Sequence, residues 1–153
     1  MLAKLDPQYI VGFIDGEGSF HVAIYKDKRM KAGLKIIPEF HVSQRVDSRE
    51  VLVDLSRYFA CGYIKANHAA SKKDKNLVLV VRNRDDLLKK IIPFFEKYRL
   101  HTTKKKDFQI FAKIVRQMAK GIHLNKAGAG RIIKLAYQMN RGGKYRRHKH
   151  SLH

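Results

Sequence analysis

The sequence predicts an α+β domain: one antiparallel sheet of four strands, helices on one of its faces, the other face open. Three observations lead there. The patterned segments run α-β-β-α-β-β-α and then continue as further helices. All four strand-like segments fall in one region of the chain. The helix-like segments carry apolar stripes at three- and four-residue spacing, so each buries one side only.

The elements follow in order. Residues 7–15, "PQYIVGFID", form a short helix, with Asp6 as N-cap and Pro7 at the first helical position. Residues 18–27 alternate, with Phe20, Val22 and Ile24 on one face and His21, Ala23 and Tyr25 on the other. After the basic turn "KRMKAG" comes a second strand, "LKIIPEFHVSQ". It sets Ile36, Phe40 and Val42 against Lys35, Ile37, Glu39 and His41, and Pro38 within it predicts a bulge or an edge. "DSRE" places Asp47 and Glu50 at capping-box spacing before a helix striped by Val51, Leu52, Leu55 and Phe59. Two more strands, "GYIKAN" and "NLVLVVRN", flank the polar loop "HAASKKDK" and add Lys65 and Asn67 to the open face. Asp85 and Asp86 open the next helix, where they complement its dipole, and Pro93 predicts a bend or a break in it. Amphipathic helices over 103–121 and 125–140 complete one domain, 1–140; residues 141–153 are expected to be a flexible basic tail.

The 153-residue chain holds 33 Lys and Arg against 13 Asp and Glu, a formal net charge of +20. That excess predicts a polyanionic partner, nucleic acid before an anionic membrane. Apolar runs such as "IIPFF" and "LVLVV" are far shorter than the ~20 residues of a spanning helix, so no membrane association is expected. Cys61 is the one cysteine, which excludes an intramolecular disulfide and a cysteine-based zinc site. "MLAKLDPQYI" lacks the apolar core and cleavage site of a signal peptide, and an intracellular setting is expected.

Against this background the stretch "YIVGFIDGEGSF" is anomalous. Asp15 and Glu17 stand where the first helix ends, at the negative pole of its dipole, so something positive should offset them. Two chemistries fit. One is a plain helix stop and turn, "DGEG". The other is a metal-dependent phosphodiesterase, because Mg²⁺ takes one or two carboxylates together with phosphate oxygens and water.

"IVGFIDGEG", residues 10–18, resembles the defining motif of the LAGLIDADG homing endonucleases, with Gly12, Asp15, Glu17 and Gly18 at its glycine and acid positions. The likeness continues in order through "FHVSQR", "YRLHTTKKKDF" and "GIHLNKAGAGRIIKLAYQMN", although Arg99 stands where the family commonly has proline. It implies an αββαββα core whose sheet is a saddle in the DNA major groove, read there by His21, Ala23, Tyr25, Lys35, Ile37, Glu39, His41, Lys65 and Asn67. It implies that Glu17, helped by the Gly16 carbonyl, binds catalytic Mg²⁺, with Mn²⁺ or Ca²⁺ as alternative occupants. Gln44 and Lys104 match peripheral residues that position water and stabilise the phosphate; Arg49 is a weaker match. A single motif implies a homodimer packed through Gly12, Phe13, Asp15 and Gly16, a near-palindromic double-stranded DNA site, and short 3′ overhangs. It also implies an intron-encoded or free-standing enzyme of a bacterial or archaeal cytoplasm or nucleoid, or of a mitochondrion or chloroplast. Two other accounts stay open: an RNA maturase acting on its own intron, and a helix-turn-helix regulator built from 104–140.

Overall fold

The computed structural model describes residues 4–140, and the basic tail lies outside the described residues. Helix α1 spans Pro7–Glu17 and is capped by Asp6, whose carboxylate accepts from the N–H groups of Gln8 and Tyr9. No loop follows it: strand β1, Gly18–Lys26, begins at the next residue. The Gly18 N–H still bonds the Ile14 carbonyl, and a Cβ on Gly18 would lie 2.6 Å from the Ile14 methyl. Only glycine allows so abrupt a switch from helix to strand.

Strand β2, Leu34–Arg45, leads through a 3₁₀ turn, Val46–Ser48, into helix α2, Arg49–Phe59. Strands β3, Tyr63–Ala66, and β4, Asn76–Val81, complete a four-stranded antiparallel sheet ordered β1-β2-β4-β3. The β1–β2 register runs unbroken from Gly18 opposite Val42 to Lys26 opposite Leu34, so Pro38 makes no bulge. Because β4 pairs only with Phe40–Arg45, β2 has one neighbour at Pro38, and the edge alternative is the one realised. The expected capping box does not form. The 3₁₀ turn sets Asp47 one residue ahead of the N-cap, where it pairs with Arg45, and the N-cap Ser48 makes no side-chain bond.

Pro93 does not break its helix. Helix α3, Arg84–Asp86, runs through a π turn, Leu87–Ile91, into helix α4, Ile92–Lys97. The wider π turn gives room to a ring that lacks an N–H and would clash with a regular preceding turn. Helix α5, Lys104–Ala119, a 3₁₀ turn, Ile122–Leu124, and helix α6, Lys126–Tyr137, follow. The 3₁₀ turn presses so closely on α6 that a Cβ at Gly128 would stand 1.7 Å from the Ile122 carbonyl oxygen.

Phe20 centres the core, its ring 5.2–5.6 Å from those of Phe40, Phe95, Phe108 and Phe111. Val22, Val42, Leu79 and Val81 share that face of the sheet, on which α1, α2 and α5 pack. No described helix is long and apolar enough to cross a membrane. Among the described residues no helix packs on the opposite face.

Candidate nucleic-acid interface and active site

The register gathers the expected readers. His21 lies opposite Glu39, Ala23 opposite Ile37, and Tyr25 opposite Lys35. His41 lies opposite Val80 and Lys65 opposite Val78. Strand alternation puts all of them on the open face, with Asn67 just beyond the end of β3. Their exposure differs. Tyr25, Lys35, Lys65 and Asn67 are exposed, His21, Ile37 and His41 half-buried, and Ala23 buried. Val78 and Val80 on the same face are also buried, so the saddle has an apolar floor that its polar rim conceals.

Glu39 is the largest departure from the sequence pattern. It is 5% exposed, the one polar residue among the described residues that is fully buried. His41 Nε2 donates to its Oε2 at 2.5 Å, and Arg82 Nη2 donates to its Oε1 at 2.5 Å. The hydrogen bond from His41 holds the Glu39 carboxyl below the usual glutamate value. Burial opposes this, and the charges of His41, Arg82 and His21 reinforce it. The ring of His21 stands 6.0 Å from that of His41. Arg82 and the exposed Tyr63 belong to this face too, and sequence reading missed both. Each sits two residues along its strand from a face residue, Arg82 from Val80 and Tyr63 from Lys65, so period-two spacing alone would have found them.

At one end of the sheet the two motif acids have separate fates. Asp15 accepts from the His101 N–H at 2.7 Å, the Thr102 N–H at 3.2 Å and the Thr102 hydroxyl at 2.8 Å. Burial raises its pKa, but these bonds outweigh that and leave it below the usual aspartate value. Asp15 is therefore a clamp on the segment leading into α5. Its carboxylate is engaged within the chain. Glu17, the last residue of α1, is exposed and makes no hydrogen bond or ion pair among the described residues.

The positive group that the helix end requires is Lys104. Its ammonium donates to the carbonyls of Ile14 at 2.8 Å and Asp15 at 2.9 Å. These orphan carbonyls carry the negative end of the dipole, so a cation is favourable there. Burial pulls the Lys104 pKa down, and the carboxylates of Asp15, Glu17 and Asp107 pull against it. Gln44 is half-buried and lies opposite Leu77 on the helix-bearing face, two residues past the one paired with Gly18. It thus belongs to the same end of the sheet as Glu17. Arg49 is exposed at the start of α2.

The outer surface of α1 is bare. Nothing lies within 4 Å of a Cβ built on Gly12 or on Gly16, and Tyr9 is 49% exposed. Tyr9 stacks on the half-buried Phe13 at 5.9 Å. His123 lies in the 3₁₀ turn between α5 and α6.

One chain thus offers a metal a single unengaged carboxylate at this end, and no group of three or more His, Cys, Asp or Glu that would hold an ion exists among the described residues. That donor set fits Mg²⁺, which binds through one or two carboxylates and completes its shell with waters and substrate phosphate oxygens. It does not fit a stand-alone zinc or calcium cage.

Comparison with known proteins agrees with this geometry. The family model described as LAGLIDADG endonuclease matches residues 10–115. A probable intron-encoded endonuclease of Neurospora crassa is 35% identical over 142 residues, 92% of this chain and 30% of its own length. DNA endonuclease I-CeuI of Chlamydomonas moewusii is 37% identical over 90 residues, 59% of this chain and 40% of its own. The chain therefore spans well under half of these curated relatives. Among solved structures, the homing endonuclease I-TnaI superposes with a TM-score of 0.83 at 39% identity, covering 90% of both chains. I-SmaMI bound to cleaved DNA superposes with a TM-score of 0.84 at 31% identity, covering 93% of this chain and 47% of that one.

Proposed function

The chain belongs to the LAGLIDADG endonuclease family, and from that premise we propose that it is a site-specific double-strand DNA endonuclease acting by Mg²⁺-dependent phosphodiester hydrolysis. The observation that carries the reading is the end of α1. Glu17 is left without a protein partner while Lys104 neutralises the carbonyls beside it. An unpaired carboxylate at a helix C-terminus is unfavourable by itself and becomes favourable when a cation and a phosphate arrive.

In this reading the open face of the sheet enters the major groove, as a two-stranded ribbon does, and its side chains contact base edges. The lysines and arginines around it bind phosphates and fix the register. Glu17 and the Gly16 carbonyl would hold the metal. The bound ion supplies Lewis-acid stabilisation of the phosphate and a more acidic water. Lys104 presents a cation to the developing negative charge. Gln44 orients water by hydrogen bonding. The solved structures of I-SmaMI with cleaved DNA and with calcium ions support a metal-bearing DNA complex for this fold.

A homodimer completes the enzyme. The exposed Gly12 and Gly16, with the half-buried Phe13 and the exposed Tyr9 beside them, would let a second α1 approach closely, and the two Glu17 carboxylates would then face opposite strands. A twofold pair of half-sites follows from that arrangement, and the family resemblance implies short 3′ overhangs. The relatives' names place them in introns, which supports an intron-encoded, intracellular enzyme. The test is selection of cleaved duplexes from a DNA library with Mg²⁺, alongside Glu17→Gln and a chelator control. Specific cuts that vanish in both controls are expected; a Glu17→Gln protein that cuts like the parent would overturn the reading.

A further inference from the structure

Glu39 sits among the DNA-facing residues, where a carboxylate would ordinarily be assigned to a cytosine amino group. Its geometry denies it that role. It is buried, and each of its oxygens accepts a charge-assisted or potentially charged bond, from Arg82 and from His41. Turning it toward a base would break both bonds and leave a carboxylate unpaired over the apolar floor of Ala23, Val78 and Val80. Removing one partner of a buried pair is strongly unfavourable.

Arg82 has the complementary properties. It follows β4 on the parity of the open face, and its side chain stays 45% exposed while its partner's is 7% exposed. One guanidinium nitrogen is bonded to Glu39, and its other donors make no further ion pair among the described residues. The bond to Glu39 restrains one end of the planar fork and leaves the other donors of this half-exposed side chain available to a partner. An arginine held in this way is pre-organised for the O6/N7 acceptor pair of guanine.

Building on the DNA-cleaving function proposed above, we infer that Arg82 is a specificity-determining residue that reads a guanine in each half-site, and that Glu39 is its positioning residue rather than a reader. His41, the second partner of Glu39, is tied into the same unit, so Glu39 couples the contacts of β2 to that of β4.

The experiment is binding selection from a randomised duplex library, with Ca²⁺ in place of Mg²⁺, using the parent, Arg82→Ala, Glu39→Gln and the double variant. Circular dichroism melting shows which variants are folded, and Glu39→Gln keeps the side-chain size. The parent is expected to prefer guanine over adenine roughly 10- to 100-fold at one half-site position. Arg82→Ala abolishes that preference and leaves the other positions alone. Glu39→Gln weakens it at the same position, and the double variant matches Arg82→Ala there, because the two residues act through one contact. A Glu39→Gln protein that loses a cytosine preference while its guanine preference persists would make Glu39 a reader and overturn the assignment. So would an Arg82→Ala protein weakened equally on all sequences with a shallower salt slope, which marks a phosphate contact. A parent that enriches no duplex would overturn the functional reading, and this assignment with it.

Discussion

Replacing Asp15 with alanine removes three accepted hydrogen bonds at once, from the N–H groups of His101 and Thr102 and from the Thr102 hydroxyl. Bonds to a charged acceptor are each worth about 1.5–3 kcal/mol when protected from water. His101 and Thr102 are exposed, so water replaces much of what is lost, and ~1 kcal/mol per bond is the better figure here. The total is about 2–3 kcal/mol. Thr103, the N-cap of α5, provides no side-chain cap that would make up the loss. At about 2–4 °C per kcal/mol for a domain of this size, Asp15→Ala should melt roughly 5–10 °C below the parent. Thr102→Val removes two bonds, the one its hydroxyl donates to Asp15 and the one it accepts from the Lys104 N–H, and should fall by up to about two-thirds as much. The pH dependence has a definite sign. A carboxyl held below its ordinary value of 3.8 contributes stability above that pH and loses it as pH falls through the lower, folded value. The gap between parent and Asp15→Ala should therefore be full at neutral pH and narrow below about pH 4. Thermal melts followed by circular dichroism across pH measure both. An Asp15→Ala protein that melts within about 1 °C of the parent at pH 7 would refute the clamp.

Other outcomes follow from the same geometry. Lys104→Met removes the cation from the end of α1 and should slow single-turnover cleavage at least ~10²-fold, with melting lowered by only a few degrees. The Cβ of Gly12→Leu meets nothing within 4 Å inside the chain, so the variant should keep its fold yet sediment as a monomer and lose cleavage. Gly128→Ala drives a methyl into the Ile122 carbonyl oxygen, and a loss of more than ~3 kcal/mol in denaturant unfolding is expected. Binding to an enriched duplex should fall steeply with salt, the slope reporting the number of phosphates neutralised.

Much of this was legible in the sequence because the local signals agreed. Period-two alternation through Phe20, Val22 and Phe40 set which strand faces enter the core, and the Asp6–Pro7 pair marked the start of α1. The need for a cation beside the motif acids was also readable, since a helix C-terminus with two carboxylates is electrostatically incomplete. That Lys104 supplies it rests on a contact 89 residues away, to the Asp15 carbonyl, which only the fold makes. Glu39 was misjudged as a surface group for a similar reason. Strand parity gives its face correctly but says nothing about Arg82 crossing from β4 to cover it. The capping box failed because the 3₁₀ turn shifted the helix start, and Pro93 was accommodated by a π turn that no residue pattern announces.

The central claim is that Glu17, unpaired in the folded chain, is there to hold a metal against DNA. The most direct measurement is cleavage of an enriched duplex by the parent and by Glu17→Gln, with affinity measured on the same DNA. The account predicts Mg²⁺-dependent double-strand cutting by the parent. Glu17→Gln should bind the duplex within about tenfold of the parent while its cleavage falls by at least ~10³-fold. Tight, selective binding with no cutting by the parent, or cutting that survives Glu17→Gln, would contradict it.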